Sequence, residues 1–336
     1  MENFNSKLEP FFTKKKQLSL YRFSLPFTKP IKFKNHCLTS REGLWLVQHN
    51  SQGDDFIGEI SPLPGFSQET LAQCEQQILM FLQGKRTDLT LSPSIHFALF
   101  CLNQKVPYQQ PNQTPDLTTV PLLQGTQPEI KARYQALNRP NLVKLKVARH
   151  SVNEEIQILQ SLIAINPKIR FRLDANQQWS AVQYSTFLKK IDCKYIDYIE
   201  EPTVSLIDNL TISDQFNVQI GLDESLISET APQINDCIKA LIIKPTLIGH
   251  QSKIETLLKH AQDQQLSISI SASFESPLAI NQLHQLALQW QQTYKIEITL
   301  GLDTLHAFET NYFKSNSPSE SLKSTLINKA VCLWHN

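Results

Sequence analysis

From about residue 119 onward, short apolar runs alternate with longer stretches whose apolar residues recur every three or four positions. The runs are TVPLLQG (119–125), LVKLKVA (142–148), IRFRLDAN (169–176), IDYIEEP (196–202), VQIGLDES (218–225), ALIIKPT (240–246), LSISISAS (266–273) and ITLGLDT (298–304). Each starts about 20 to 30 residues after the one before. The intervening segments, such as NEEIQILQSLIAINP and QSKIETLLKHAQDQQ, carry the spacing of amphipathic helices. Strand, helix, strand at this interval is a right-handed βαβ unit with parallel strands. Eight such strands close on themselves more naturally than they lie open, so the expected fold is α/β, with a (β/α) barrel over residues 111–305.

Residues 20–100 follow a different pattern. GLWLVQHN and DFIGEISPL read as neighbouring strands of a meander. SQETLAQCEQQILMFLQG reads as a helix with Ser67 as N-cap, Glu69 in the first turn and Gly84 closing it. Residues 1–110 are therefore expected to form an α+β domain. Residues 306–336, beginning at HAFETNYF, continue no barrel repeat and are expected to pack back on that first domain.

Composition narrows the function. In 336 residues, 41% hydrophobic and 19% charged, 32 basic side chains face 31 acidic ones. A formal charge of +1 advertises neither nucleic acid nor an anionic membrane as partner. The N-terminal stretch reads as neither signal peptide nor membrane anchor, and the basic run 14–16 as a solvated patch. The six cysteines form no C-x-x-C pair, which fits free thiols in a cytoplasmic protein better than zinc or disulfides. The nine glycines build no G-x-G-x-x-G, P-loop or G-x-S-x-G motif. The sequence does not set the oligomeric state; a monomer fits.

The distinctive chemistry lies at the strand ends, where barrels of this type carry their active sites. LVKLKVA places Lys144 and Lys146 on one face of a strand whose other residues are apolar. The next strand ends in Asp174, the fourth in Glu200 and Glu201, the fifth in Asp223 and Glu224, the sixth in Lys244. Each residue alone has an ordinary explanation, since Asp and Ser favour helix N-caps and a Glu or Lys before proline suits a strand end. Together they put carboxylates on three adjacent strands between lysines on either side, a costly set to bury unless the charges compensate. Converging carboxylates make a hard oxygen site suited to Mg²⁺, with Mn²⁺ as a substitute. A small-molecule carboxylate bound there would have a more acidic α-proton, and the metal would stabilise the enediolate that follows. A neighbouring lysine and a dication both disfavour the ammonium form, so one lysine of the pair becomes a usable base while the other tunes it.

The ordered motifs GEISPLPGFSQET (58–70), K-x-K (144–146), RLDAN (172–176), IEEP (199–202), LDESL (222–226), IIKPTLIG (242–249), SASFES (271–276) and GLDTL (301–305) resemble the enolase superfamily. Within it they are similar to the o-succinylbenzoate synthase family. The resemblance runs from Tyr21 to Leu305. It implies a (β/α)7β-type TIM barrel with an N-terminal α+β capping domain. It also implies Mg²⁺ held by Asp174, Glu200 and Asp223, Lys146 as base with Lys144 beside it, and Lys244 facing it across the substrate. Arg172, Ser271, Ser273 and Gly301 would contact substrate, and segments 25–35 and 61–66 would form a lid. The implied reaction is a syn dehydration of 2-succinyl-6-hydroxy-2,4-cyclohexadiene-1-carboxylate to 2-succinylbenzoate in menaquinone biosynthesis.

Rival readings use the same residues. An N-succinylamino acid racemase, a dipeptide epimerase or a muconate-type cycloisomerase would employ the same lysine pair. A Schiff-base enzyme would use one lysine as nucleophile but would not need three carboxylates in register. A binding protein that had lost catalysis would not be expected to keep the whole set.

Overall fold

The computed structural model describes residues 17–33, 35–50, 55–85, 91–106, 117–228, 235–314 and 321–336. The expected boundary at 110/111 and the basic run 14–16 lie outside the described residues. Three strands open the described chain: β1 (Gln17–Phe33), β2 (His36–His49) and β3 (Phe56–Ile60). Eight more follow: β4 (Leu122–Leu123), β5 (Leu142–Lys146), β6 (Arg170–Asp174), β7 (Ile196–Glu200), β8 (Ile220–Leu222), β9 (Ile238–Ile243), β10 (Ser267–Ser271) and β11 (Ile298–Gly301). A final strand, β12 (Val331–His335), ends the chain.

Strands β4 to β11 form one parallel sheet in sequential order. It closes where Thr119 bridges Leu300, with Val120 N–H donating to Leu300 O at 2.8 Å. All eight apolar runs thus become neighbouring barrel strands. Their outward residues explain the burial: Val143 and Leu145 of β5 and Phe171 and Leu173 of β6 are buried with Ile156, Leu159 and Leu162 of the helix Val152–Ile165. That helix starts at Ser151, whose side chain accepts from Glu154 N–H while Glu154 reaches back, a reciprocal cap satisfying two otherwise unpaired donors. Tyr198, Ala240 and Ile242 plug the interior. The barrel is a packed core with a mouth at the strand C-termini, not a pore.

The second sheet is antiparallel, in the order β12-β1-β2-β3, and packs against the helices Leu71–Leu82 and Pro93–Asn103. The first helix begins later than expected. Its N-cap is Thr70, paired with Gln73 in a capping box, whereas Ser67 accepts from Leu63 N–H and Glu69 accepts from Ser94 N–H and O–H. Thr70-x-x-Gln73 is the better capping-box match, because Ser67 has a threonine three residues on.

Buried polar groups join this sheet to the barrel mouth. Arg41 on β2 is buried, and its guanidinium donates to the carbonyls of Pro62 (2.8 Å), Ser61 and Phe274 (3.1 Å). Glu59 on β3 accepts from Trp45 Nε1 at 3.0 Å and from the N–H and O–H of Ser276, beyond β10. The turn after β3 and the segment after β10 are thereby held together over the same end of the barrel. The tip of the β1–β2 hairpin lies there too, with Ile31 and Leu38 packed against Leu63, Leu247 and Phe274. The expected lid segment 25–35 falls largely on the β1 arm of this hairpin. Among the described residues, no helix is long and apolar enough to cross a membrane.

Candidate active site

Parallel pairing sets the layers of the mouth. Lys146 stands opposite Asp174, and Asp174 opposite Glu200. One inward position earlier, Lys144 is level with Arg172 and Arg172 with Tyr198. The i, i+2 spacing read in LVKLKVA therefore puts both lysines inside the barrel while Val143 and Leu145 face the helices. Strand β8 ends at Leu222, so Asp223 turns inward at its tip. Asp174, Glu200 and Asp223 are each about 1% exposed and offer oxygens all lying within 4.8 Å of one another.

The lysines sit on these carboxylates. Lys144 Nζ is 2.8 Å from Asp174 Oδ2 and 2.5 Å from Glu200 Oε2. Lys146 Nζ is 2.7 Å from both Asp174 Oδ2 and Asn176 Oδ1. Lys244, from the end of β9, is 2.5 Å from Asp223 Oδ2. Asp223 Oδ1 remains buried with no hydrogen-bond partner, an orphan that burial makes costly. Three hard oxygen donors, one with an unused buried atom, fit a divalent cation such as Mg²⁺.

The environment drives the two lysines of β5 apart. Burial acts on both. For Lys144 the attraction of Asp174 and Glu200 overcomes it and holds the ammonium well above the usual lysine range. For Lys146 burial wins, helped by the like charges of Lys144 and Lys244, and its affinity for a proton falls. Burial also works against ionisation of Asp174, but Lys144 and Lys146 prevail and keep it well below the usual carboxylate range. Glu200 is pushed up to about 8 by burial.

The paired acids in EEP and LDES take separate parts. Glu201 has φ of 35° and leaves the cluster, where it accepts the backbone N–H groups of Asp223 and Ser225, both at 3.1 Å. It shapes the turn that aims Asp223. Glu224 accepts from Asn176 Nδ2 at 3.2 Å, and its other oxygen is buried without a partner.

A cavity of about 60 Å³ lies against this cluster, bounded by Lys144, Lys146, Asp174, Lys244, Ser271 and Gly301 among others. A second, of about 110 Å³, adjoins it past Lys146 and Lys244 and includes Ser273 in its wall. Ser271, Ser273 and Gly301 are thus brought to the mouth. Arg172 is placed elsewhere: it borders neither cavity, donates to Asp197 Oδ2 (2.9 Å) and Thr299 Oγ1 (2.6 Å), and lies 4.9 Å from the Tyr198 ring centre. With Asp197 and Thr299 it borders a separate pocket at the N-terminal ends of the barrel strands, the opposite end from the mouth. Phe66, from the turn after β3, puts its ring 5.7 Å from Lys244 Nζ.

Several participants escaped sequence reasoning. Asn176 was visible in RLDAN but has a role only because Lys146 reaches it. Asp303 borders the first cavity and accepts from Leu122 N–H (3.1 Å) and Arg133 (2.5 Å), fastening β4 to the segment after β11. No local motif announces that link, which spans most of the barrel.

Comparison with known proteins agrees with this architecture. Residues 15–106 match the family model described as MenC, N-terminal domain, and residues 130–316 the model described as Enolase C-terminal domain-like. The o-succinylbenzoate synthase of Haemophilus influenzae is 31% identical over 338 aligned positions, covering 94% of this chain and 99% of that protein. Among solved structures, o-succinylbenzoate synthase from Thermosynechococcus elongatus BP-1, complexed with Mg in its active site, superposes with TM-score 0.67 at 23% identity. That match covers 87% of this chain and 94% of the other. A dipeptide epimerase from Enterococcus faecalis V583, complexed with Mg and a dipeptide, gives TM-score 0.72 at 18% identity over 95% of this chain and 97% of the other.

Proposed function

The chain belongs to the o-succinylbenzoate synthase family of the enolase superfamily, and from that premise we propose that it is a Mg²⁺-dependent hydro-lyase. It dehydrates 2-succinyl-6-hydroxy-2,4-cyclohexadiene-1-carboxylate to 2-succinylbenzoate, a step of menaquinone biosynthesis. The observation that carries this reading is the Asp174–Glu200–Asp223 cluster on three consecutive strands, flanked by Lys146 two strands before Glu200 and Lys244 two strands after it.

Asp174, Glu200 and Asp223 would hold Mg²⁺, which supplies positive charge beside the substrate's ring carboxylate and so acidifies the carbon α to it. Lys146, the lysine whose ammonium is disfavoured, removes that proton. The C–O bond on the adjacent carbon then breaks, and the departing hydroxide takes the proton back from Lys146 to leave as water. A syn elimination lets one residue do both jobs. Lys144 holds Asp174 and Glu200 in place and keeps Lys146 short of protons. Lys244 remains an ammonium, held by Asp223, and faces the planar electron-rich intermediate as a Coulombic and cation–π partner. Ser271, Ser273 and Gly301 offer hydroxyl and backbone donors to the succinyl tail.

The same lysine pair would serve an N-succinylamino acid racemase or dipeptide epimerase, which moves a proton from one face to the other. Purified protein with Mg²⁺ should convert the cyclohexadiene acid to its aromatic product far faster than it exchanges the α-proton of N-succinylamino acids with deuterated water. The reverse order of rates would move the assignment to a racemase.

A further inference from the structure

The end of the barrel opposite the mouth holds a cavity of about 370 Å³ that the proposed chemistry does not use. Four cations border it, Lys168, Arg170, Arg172 and Lys239, against two carboxylates, Asp197 and Glu297. Asp197 takes the pairing. Its Oδ1 lies 2.6 Å from Lys239 Nζ and its Oδ2 2.9 Å from Arg172 Nε. Arg170 reaches the same carboxylate only at 3.7 Å. Lys168 and Glu297 are exposed, and among the described residues neither makes an ion pair.

Two irregularities of the barrel sheet bring charge to this floor. Where β6 pairs with β7, Phe171 stands opposite Ile196 and Arg172 opposite Tyr198, so Asp197 is an extra residue. Where β8 pairs with β9, Ile220 stands opposite Ile238 and Gly221 opposite Ala240, so Lys239 is extra. Such bulges are rare between parallel strands, and their effect is to re-aim a side chain. Ile196 and Ile238 pack with the surrounding helices, Tyr198 and Ala240 fill the interior, and Asp197 and Lys239 meet in the cavity wall. A plain plug for the barrel floor would need only balanced charge. Here cations outnumber carboxylates two to one, and the surplus stands on Lys168 and Arg170 at the rim.

We propose that this cavity binds a phosphate group, free or carried on a small monoester, between Arg170, Lys168 and Lys239. The inference stands apart from the dehydratase reading, because the cavity lies at the far end of the barrel from Lys146. A guanidinium fork and two point-like ammonium groups from separate elements suit the oxygens of a tetrahedral anion. Asp197 fixes Arg172 and Lys239 beforehand, so the floor is ordered before a ligand arrives. The volume is more than ten times the roughly 30 Å³ that one water occupies in the liquid, which leaves room for an organic portion.

The test is calorimetric titration of the Mg²⁺-loaded protein with glycerol 3-phosphate, inorganic phosphate and glycerol. At least one phosphate should bind and glycerol should not; the tighter phosphate tells a monoester site from a site for the free anion. The double variant Lys168→Met/Arg170→Met should weaken binding about tenfold or more, and Glu297→Gln should tighten it about threefold. All three side chains are exposed, so their removal spares the core. Phosphate held by the metal at the mouth would respond to neither substitution. Absence of binding, or affinity in the double variant within about twofold of wild type, overturns the proposal. Should the double variant fail to fold, Glu297→Gln decides alone, and an affinity no tighter than wild type overturns it.

Discussion

At the scale of single residues, the decisive fact is that two lysines two positions apart meet opposite electrostatic environments. Lys144 lies between two carboxylates and keeps its proton; Lys146 has one carboxylate, an amide and two neighbouring ammonium groups, and holds its proton less firmly. The i, i+2 pattern was enough to read that both enter the barrel. Which one holds its proton less firmly was not in the spacing, because it depends on Asp174, Glu200 and Lys244, contributed by three other strands. The same holds for the ambiguity in EEP: only the backbone turn at Glu201 separates the inward acid from the one that holds the next loop. A pH consequence follows with a definite sign. The base must be neutral, so kcat/KM should rise with pH through an acid limb whose apparent pKa lies below the ordinary lysine value of about 10.4. Lys146→Arg should remove that limb together with about 10²–10⁴-fold of the rate. A limb that persists unchanged in the variant would show that another group is the base.

At the scale of elements, the barrel strands were legible because a buried parallel strand leaves a short apolar run and each crossover helix restores the same interval. β4, only Leu122–Leu123, depends on contacts from outside its own run: its N–H and C=O groups engage Asp303 and Arg133. The approach of the capping helix to the barrel was not legible, since it turns on the space around one glycine. Gly249 closes the short helix Pro245–Ile248 that follows Lys244; its φ is 75°, and a Cβ there would lie 2.2 Å from Pro93 O at the start of the helix Pro93–Asn103. Gly249→Ala therefore meets both backbone strain and a backbone clash, together worth roughly 3 kcal/mol. Denaturant unfolding should show that loss, and the variant should also bind substrate less well because the segment after Lys244 shifts. A midpoint equal to wild type would mean the contact carries no stability.

At the scale of the whole molecule, two sheets built on different principles meet at one end of the barrel. The parallel barrel supplies the charged cluster, and the antiparallel sheet supplies the hairpin tip that covers it, together with Leu63 and Phe66 from the segment after β3. Arg41 and Glu59 tie the two together through buried hydrogen bonds to segments that border the mouth. The order of the strands was legible in the motifs; the enclosure arises from contacts between residues more than two hundred positions apart, such as Arg41 with Phe274. In the proposed reaction the assembled mouth acts as one unit, a divalent cation among Asp174, Glu200 and Asp223 working together with Lys146. The most direct measurement is the initial rate of dehydration of the cyclohexadiene acid by wild type as purified, after EDTA, after return of Mg²⁺, and by the Lys146→Ala variant with Mg²⁺. Conversion should be rapid as purified, lost with chelator and recovered with Mg²⁺, and the rate in Lys146→Ala should be lower by about 10²-fold or more. Conversion that survives EDTA, or that proceeds at the wild-type rate without Lys146, would contradict the proposed reaction.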